Sequence, residues 1–288
     1  MEKIAVIADI HGNFEALHAL LADLEQWSPD LVIVAGDTIN RGPCSDACLQ
    51  LVLQMVDERG WLVLRGNHEG YLLKYDRHYQ RCDLPQRGPE YELNRIIAWT
   101  YTQVRDYIVQ VAALPEHIHV DLGPGKLAVY HASIRHDRDG LFPKATNAML
   151  RSQIEPDAAI FCTAHTHVPF VRRLDQTLIV NVGSVGLPFD GDPRLAYTRL
   201  TRGPKGWSAT VVRVAYDIAS AAQAVHTSGM FETVGPITEL LLRELQTGYS
   251  LLFGFVTTYR DPIIAGEISF EAALEAWLAQ AHTLKRFA

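Results

Sequence analysis

Apolar positions near the N-terminus alternate between two rhythms. Residues 4–10 form an apolar run ending in Asp9-Ile10-His11. Phe14, Leu17, Leu20, Leu21, Leu24 and Trp27 then recur at helical spacing, with Asn13 placed to cap them. Residues 31–35 are a second apolar run, ending at Gly36-Asp37. Ala47, Cys48, Leu51, Val52 and Met55 predict another helix, and residues 61–64 predict a third strand ending at Gly66-Asn67-His68. Buried strands separated by helices predict a parallel sheet with helices on its faces.

Residues 70–115 break this rhythm. They are rich in Tyr and Arg, contain Pro85 and Pro89, and then show a helical pattern through Leu93, Ile96, Ile97, Val104, Ile108 and Val111. This segment reads as a helical insertion and a candidate cap. Strands resume at 127–131 and 159–165. From 168 to 216 short apolar runs alternate with turn signals (Gly183, Gly186, Gly191-Asp192-Pro193, Gly203-Pro204), which predicts an antiparallel meander and a second sheet. The tail from about 218 is expected to be helical, with Phe270, Leu274, Trp277, Leu278, Ala281 and Leu284 on one face and Ser269 as its N-cap.

Composition narrows the picture only a little. Of 288 residues 48% are hydrophobic and 20% charged, with a net charge of −7, which suits a globular chain and excludes collagenous or disordered classes. The acidic balance and the absence of a basic run argue against a nucleic-acid scaffold, yet leave an anionic substrate open, because bound metal can reverse the local sign. No stretch reaches the roughly 18 apolar residues of a membrane helix, and no basic-then-apolar leader is visible, so a cytoplasmic protein is expected. Cys44, Cys48, Cys82 and Cys162 form no Cys-x-x-Cys pair. Cys44 and Cys48, spaced i, i+4, read as one face of a helix, and four unframed thiols suit a reducing compartment.

Chemistry gathers where the predicted strands end. Asp9 and His11, Asp37, Asn67 and His68, His131, and His165 with His167 all occupy such positions. In open α/β sheets the carboxyl ends of strands converge on the ligand crevice. Residues i and i+2 of an extended segment share a side, so Asp9 with His11, and His165 with His167, are each expected to face one point. Carboxylate, amide and imidazole donors without sulfur suit Mn²⁺, Fe or Zn²⁺.

The stretches Asp9-Ile-His-Gly-Asn13, Gly36-Asp37-Thr-Ile-Asn-Arg41-Gly-Pro43, Arg65-Gly-Asn-His-Glu69, Tyr130-His131-Ala132 and Ala164-His-Thr-His167 occur in this order. Together they resemble the signature of the calcineurin-like metallophosphoesterase superfamily over roughly residues 3–215. The resemblance implies a two-sheet α/β/β/α sandwich: a catalytic domain over 1–217, interrupted by the insertion at 70–115, and a helical extension over 218–288. It implies two divalent metal ions. Asp9, His11, Asp37 and His167 would hold the first; Asp37, Asn67, His131 and His165 the second, with Asp37 bridging. A metal-bridging hydroxide would attack a phosphoester or phosphoanhydride, with Asn67 also near the substrate. His68 matches the family's catalytic histidine, which protonates the leaving group or stabilises transition-state charge. Arg41 matches its phosphate-binding arginine.

Two positions depart from the family pattern. The protein-phosphatase branch has an acidic residue before that arginine; here it is Asn40, which cannot balance an imidazolium charge. Ala164 replaces the usual glycine before His-x-His, a change the backbone is expected to tolerate. The Arg-Gly-Pro run resembles the dinucleoside polyphosphate hydrolase and protein-phosphatase branches alike, and phosphodiesterases remain a third option. The expected substrate is therefore a phosphorylated small molecule, a nucleotide or a phosphoprotein. A rival reading is a metal-binding interaction scaffold that has lost catalysis, but His68 and Arg41 are both present.

Other polar residues carry plainer expectations. His117 and His119 copy the His-x-His spacing beside Ile118 and Val120, which reads as a solvated strand face. His18 and His282 are expected on helix surfaces, and Arg65 in a structural role. Arg135, His136 and Arg138 lie either in a surface loop or against substrate. Gly183-Ser184 reads as a turn within the second sheet, and the Tyr and Arg residues of 70–90 as an exposed connector able to meet a nucleobase.

Overall fold

The computed structural model describes residues 1–281; the expected surface position of His282 and the helix-face position of Leu284 lie outside them. Chain order begins with β1 (Lys3–Ile7), α1 (Phe14–Trp27), β2 (Leu31–Ala35), α2 (Ser45–Arg59) and β3 (Leu62–Leu64). Asn13 caps α1 by accepting from the Ala16 amide at 3.1 Å. Cys44 lies just ahead of α2 instead of inside it, so only Cys48 packs into the core from that pair. The insertion consists of α3 (Asn67–Gln80), α4 (Pro89–Val104) and α5 (Ile108–Ala113). Pro89 opens α4, where a missing N–H costs nothing.

The remaining strands are β4 (His117–Asp121), β5 (Lys126–Tyr130), β6 (Ala158–Thr163), β7 (Phe170–Leu174), β8 (Thr177–Asn181), β9 (Leu195–Gly203) and β10 (Gly206–Val214), with α6 (Asn147–Gln153) before β6. They build two five-stranded sheets, β10-β9-β1-β2-β3 and β4-β5-β6-β8-β7. The meander expected over 168–216 is divided between them. β7 and β8 extend the second sheet, where β8 lies parallel to β6. β9 and β10 return to the first sheet, β9 antiparallel to β1 and β10 antiparallel to β9 at the edge. The Gly183-Ser184 turn therefore links the two sheets instead of two strands of one.

Strand alternation sets the layers. Ile4, Val6 and Ala8 face Leu127, Val129, Ile160, Cys162 and Val180 across the sheet–sheet core. Ala5 and Ile7 face the other way, toward Leu17, Leu20 and Leu24 of α1 and Cys48 and Val52 of α2. Phe161 and Ile179 pack outward against Leu150 of α6 and Ile154 just after it. The result is an α/β/β/α sandwich. Five further helices follow: α7 (Ile218–Thr227), α8 (Met230–Val234), α9 (Thr238–Thr247), α10 (Leu252–Ile264) and α11 (Phe270–Ala281). They share one hydrophobic core with Ile96 of α4 and Leu187, so the extension closes against the insertion and the loop after β8. Ser269 caps α11 through the Ala272 amide at 3.1 Å.

Candidate metal centre

The loops after β1 and β2 continue side by side beyond the sheet. The amides of Asp9, His11 and Gly12 donate to the carbonyls of Gly36, Asp37 and Thr38, each at 3.0 Å. Neither loop is extended. Asp9, His11, Asp37, Asn40, Arg41, His165 and His167 all have positive φ, between 49° and 72°. Side-chain-bearing residues avoid this left-handed region, and clusters of them mark places where the surroundings force the backbone. The paired residues Asp9/His11 and His165/His167 do converge, but through left-handed kinks and not through the alternation of an extended strand.

Glu69 anchors the second loop. Its buried carboxylate accepts the amides of Asp37 (2.9 Å), Thr38 (2.8 Å) and Gly66 (2.7 Å). Asp37 in turn accepts the His68 amide on Oδ1 at 2.9 Å, at the start of α3. A Cβ on Gly66 would come within 2.1 Å of that Oδ1, so only glycine lets the two loops meet. The sequence does not single out Glu69 for this role, since a glutamate in a first helical turn is commonplace.

All seven sequence-expected metal ligands meet in one place. Asp9, His11 and His167 form one group, and Asp37, His131 and His165 another. Asn67 joins the second: its Oδ1 lies 2.9 Å from His131 Nε2 and 2.8 Å from His165 Nδ1. Asp37 Oδ2 sits between the groups, 3.2 Å from His131 Nε2 and 3.8 Å from His11 Nε2.

The protonation pattern tests whether a cation fits. Nδ1 of His11 faces the Ile39 carbonyl at 3.3 Å, Nδ1 of His131 faces the Ala35 carbonyl at 2.8 Å, and Nδ1 of His167 faces the Leu187 carbonyl. Carbonyls only accept, so each Nδ1 carries a hydrogen, and the neutral rings of His11 and His167 each turn a lone pair inward. The two inward nitrogens of His11 and His167 then lie 3.2 Å apart, acceptor against acceptor. Asp9 Oδ1 is buried beside them with no hydrogen-bond partner among the described residues. Such an arrangement calls for positive charge at its centre, and the donors suit a divalent ion.

Titration preferences agree. Burial holds His11 and His167 well below the usual imidazole range, and burial with the neighbouring His131 pushes His165 down to about 4. His131 goes the other way. Burial opposes protonation, but Asp37 and Asp9 outweigh it and lift the ring to about 10. Burial, only partly offset by His131, raises Asp9 well above the carboxylate range. Asp37 lies well below that range despite burial, because His131 and His68 face it. Without a metal, a proton on His131 is the available counter-charge.

His68 lies within ligand distance of His11 and Asp37. Asn40 excludes it from coordination. The Arg41 amide donates to Asn40 Oδ1 at 2.8 Å, which fixes the side-chain amide's orientation. Asn40 Nδ2 therefore donates to His68 Nδ1 at 2.7 Å. Nδ1 must be bare, so Nε2 carries the hydrogen and has no lone pair to offer. Burial, with Arg41 adding to it against the pull of Asp37, pushes His68 down to about 3. Arg41 lies beside this group with its Nε buried and without a hydrogen-bond partner among the described residues. Its guanidinium stands 5.9 Å from the centroid of Phe189, which stacks on His167 at 4.3 Å.

The remaining expectations divide. His117 and His119 are exposed on β4, away from the centre, and His119 Nε2 pairs with Glu155 at 2.7 Å. His18 is exposed, and Arg65 pairs with Glu116. Arg135 and Arg138 lie in an exposed loop where Arg135 pairs with Asp139 at 2.6 Å and Arg138 lies over Tyr71 at 6.0 Å. Tyr71, itself exposed, stands edge-on to His68 at 5.2 Å. Ser184 reaches the site's frame: its hydroxyl donates to the Asp9 carbonyl at 2.8 Å. No described helix is long and apolar enough to cross a membrane.

Residues 2–202 match the model of the calcineurin-like phosphoesterase superfamily domain. An uncharacterized protein from Methanocaldococcus jannaschii is 26% identical over 251 residues, spanning 81% of this chain and 95% of that protein. The crystal structure of a metallophosphoesterase from Sphaerobacter thermophilus aligns with a TM-score of 0.66 at 26% identity, over 86% of this chain and 99% of that one. A hypothetical protein from Pyrococcus horikoshii shares the fold with a TM-score of 0.72 at 17% identity, over 87% of this chain and 100% of its own. From its motifs, its sandwich and this match, the chain belongs to the calcineurin-like phosphoesterase superfamily.

Proposed function

We propose that this protein is a dinuclear-metal-dependent phosphoesterase that hydrolyses a phosphoester or phosphoanhydride bond. Asp9, His11, Asp37 and His167 would hold one divalent ion, and Asp37, Asn67, His131 and His165 the other. The opposed lone pairs of His11 and His167 beside the unpartnered Asp9 oxygen carry this reading. Carboxylate, amide and imidazole donors without sulfur favour Mn²⁺, Fe or Zn²⁺. When bound, such ions supply positive charge for phosphoryl oxygens and make a water acidic enough to ionise near neutrality.

The chain's own residues do the rest. Arg41, whose side chain keeps some exposure, offers Nη2 to a phosphoryl oxygen, where a guanidinium forms charge-assisted bonds. His68 offers Nε2–H to a phosphoryl or leaving-group oxygen. Asn40 holds that tautomer, so His68 stabilises developing charge and does not deliver a proton. Glu69 keeps Asp37 and the α3 terminus in register through three amides. The test is turnover of bis-p-nitrophenyl phosphate with and without added Mn²⁺. Metal-dependent release of p-nitrophenol is expected, and no release at any metal loading, together with none from p-nitrophenyl phosphate or diadenosine tetraphosphate, would overturn the proposal.

A further inference from the structure

Glu244 of α9 is 0% exposed. Its Oε1 accepts the amides of Leu251 at 2.6 Å and Leu252 at 2.8 Å, which closes the turn into α10. One neutral acceptor would suffice for that turn. Oε2 points elsewhere, to Arg41 Nη1 at 3.5 Å. Arg41 is the cation with which Glu244 forms an ion pair among the described residues, and a buried carboxylate is costly unless it is paired. The pair spans 203 positions of sequence and joins the last third of the chain to the loop after β2.

The contact has a direction. Glu244 occupies Nη1, Cζ stands 5.9 Å over the Phe189 ring, and Nε is buried without a hydrogen-bond partner among the described residues. Nη1 is thus held by protein and Nε is enclosed, and Nη2 of the partly exposed side chain remains for an oxyanion. A guanidinium held before binding loses less freedom when an anion arrives. The loop after β8, which carries Phe189, also touches the extension, through the Gly191 amide to the Gly248 carbonyl at 2.9 Å.

We propose that Glu244 is a positioning residue that aims Arg41 at the phosphoryl group, so that the helical extension beyond residues 2–202 forms part of the substrate site. The proposal rests on the phosphoesterase reading for its substrate, but the geometry of the pair can be tested without turnover. Glu244→Gln keeps Oε1 as an acceptor and removes the charge. Three quantities are measured on Mn²⁺-loaded protein: KM and kcat for bis-p-nitrophenyl phosphate, and the affinity for inorganic phosphate by calorimetry. Each is taken for wild type, Glu244→Gln, Arg41→Ala and the double variant, with metal content and melting temperature recorded alongside.

Glu244→Gln is expected to raise KM and the phosphate Kd about tenfold, as loss of a charge-assisted contact should, with kcat changed much less. In the Arg41→Ala background it should change neither. A purely structural role predicts equal losses in both backgrounds, or a loss of metal, and either overturns the proposal. So does an unchanged KM and Kd in Glu244→Gln. Should that variant not fold, Glu244→Asp is judged by the same pair of backgrounds. Turnover with no effect of Glu244→Gln refutes the positioning role and leaves the phosphoesterase reading standing. Phosphate binding weakened by Glu244→Gln without any turnover does the reverse. Neither turnover nor phosphate binding in wild type removes both.

Discussion

Asn40 decides what His68 can do. An aspartate there would accept a hydrogen from Nδ1 and favour imidazolium; the asparagine donates to Nδ1 and favours the neutral ring with Nε2–H. A neutral imidazole can donate a hydrogen bond to an oxygen but cannot release that proton near neutral pH. His68→Ala is therefore expected to lower kcat/KM by about 10², the cost of one oxyanion donor, to a similar degree for p-nitrophenyl and alkyl leaving groups. Asn40→Asp should raise the His68 pKa from about 3 and add a basic limb to the pH profile, with gains confined to poor leaving groups. A wild-type His68→Ala loss that grows as the leaving group worsens would show that His68 does act as an acid. Asp37 offers a second test at this scale. Its Oδ2 is shared between the two donor groups, so Asp37→Asn should lower elemental metal content at both sites at once. Full metal content in that variant would rule out the bridge. The sequence named Asp37, Asn40 and His68, but not the orientation of the Asn40 amide. That orientation depends on the Arg41 amide, and backbone groups leave no trace in residue identity.

At the scale of elements, the strand ends were legible and the turns after them were not. Buried runs ending in Asp-x-His, Gly-Asp and Gly-Asn-His point to the crevice because parallel strands share a direction. The same sequence gives no sign that seven of these residues adopt positive φ, since Asp, His, Asn and Arg are not turn glycines. The carbonyls of Ile39, Ala35 and Leu187 that orient the imidazoles were equally invisible. Periodicity did separate the two His-x-His pairs. His117 and His119 flank the inward-facing Ile118 on β4, whereas His165 and His167 lie past the end of β6. His165→Ala and His167→Ala should each reduce metal-dependent turnover by more than about 100-fold, because loss of a ligand costs more than loss of its supporting partner. His117→Ala and His119→Ala should stay within about twofold, as surface substitutions do. Comparable losses from both pairs would refute the division. His119→Ala removes the contact to Glu155, so its effect belongs in melting temperature, not in turnover.

For the whole molecule, local pattern predicted which segments are strands but not which sheet takes them. β9 and β10 return to β1 from the far end of the chain, and only long-range pairing decides that. Glu244 escaped notice for the same reason: a glutamate among leucines in α9 looks solvent-facing until the fold buries it. The buried charges also set how the metal-free molecule responds to pH. His131 has a folded pKa near 10 against an ordinary value of 6.5, so between these limits the folded state binds the extra proton. Stability then falls as pH rises through that window, by the linkage between proton uptake and folding. Glu69, lifted to about 7 by burial and by Asp37, acts in the same direction up to that pH. The four depressed histidines, His11, His68, His165 and His167, oppose this only below about 6.5, where unfolded imidazoles still take protons. Chelator-treated protein should therefore melt at progressively lower temperature from pH 7 to pH 9.5. A divalent ion replaces the proton on His131 and binds better as the ligands deprotonate, so the metal-loaded protein should lose much less over the same range. The gap between the two melting curves should widen with pH. Melting temperatures of the chelated protein that stay level or climb over that range would mean that His131 is not the group holding the counter-charge.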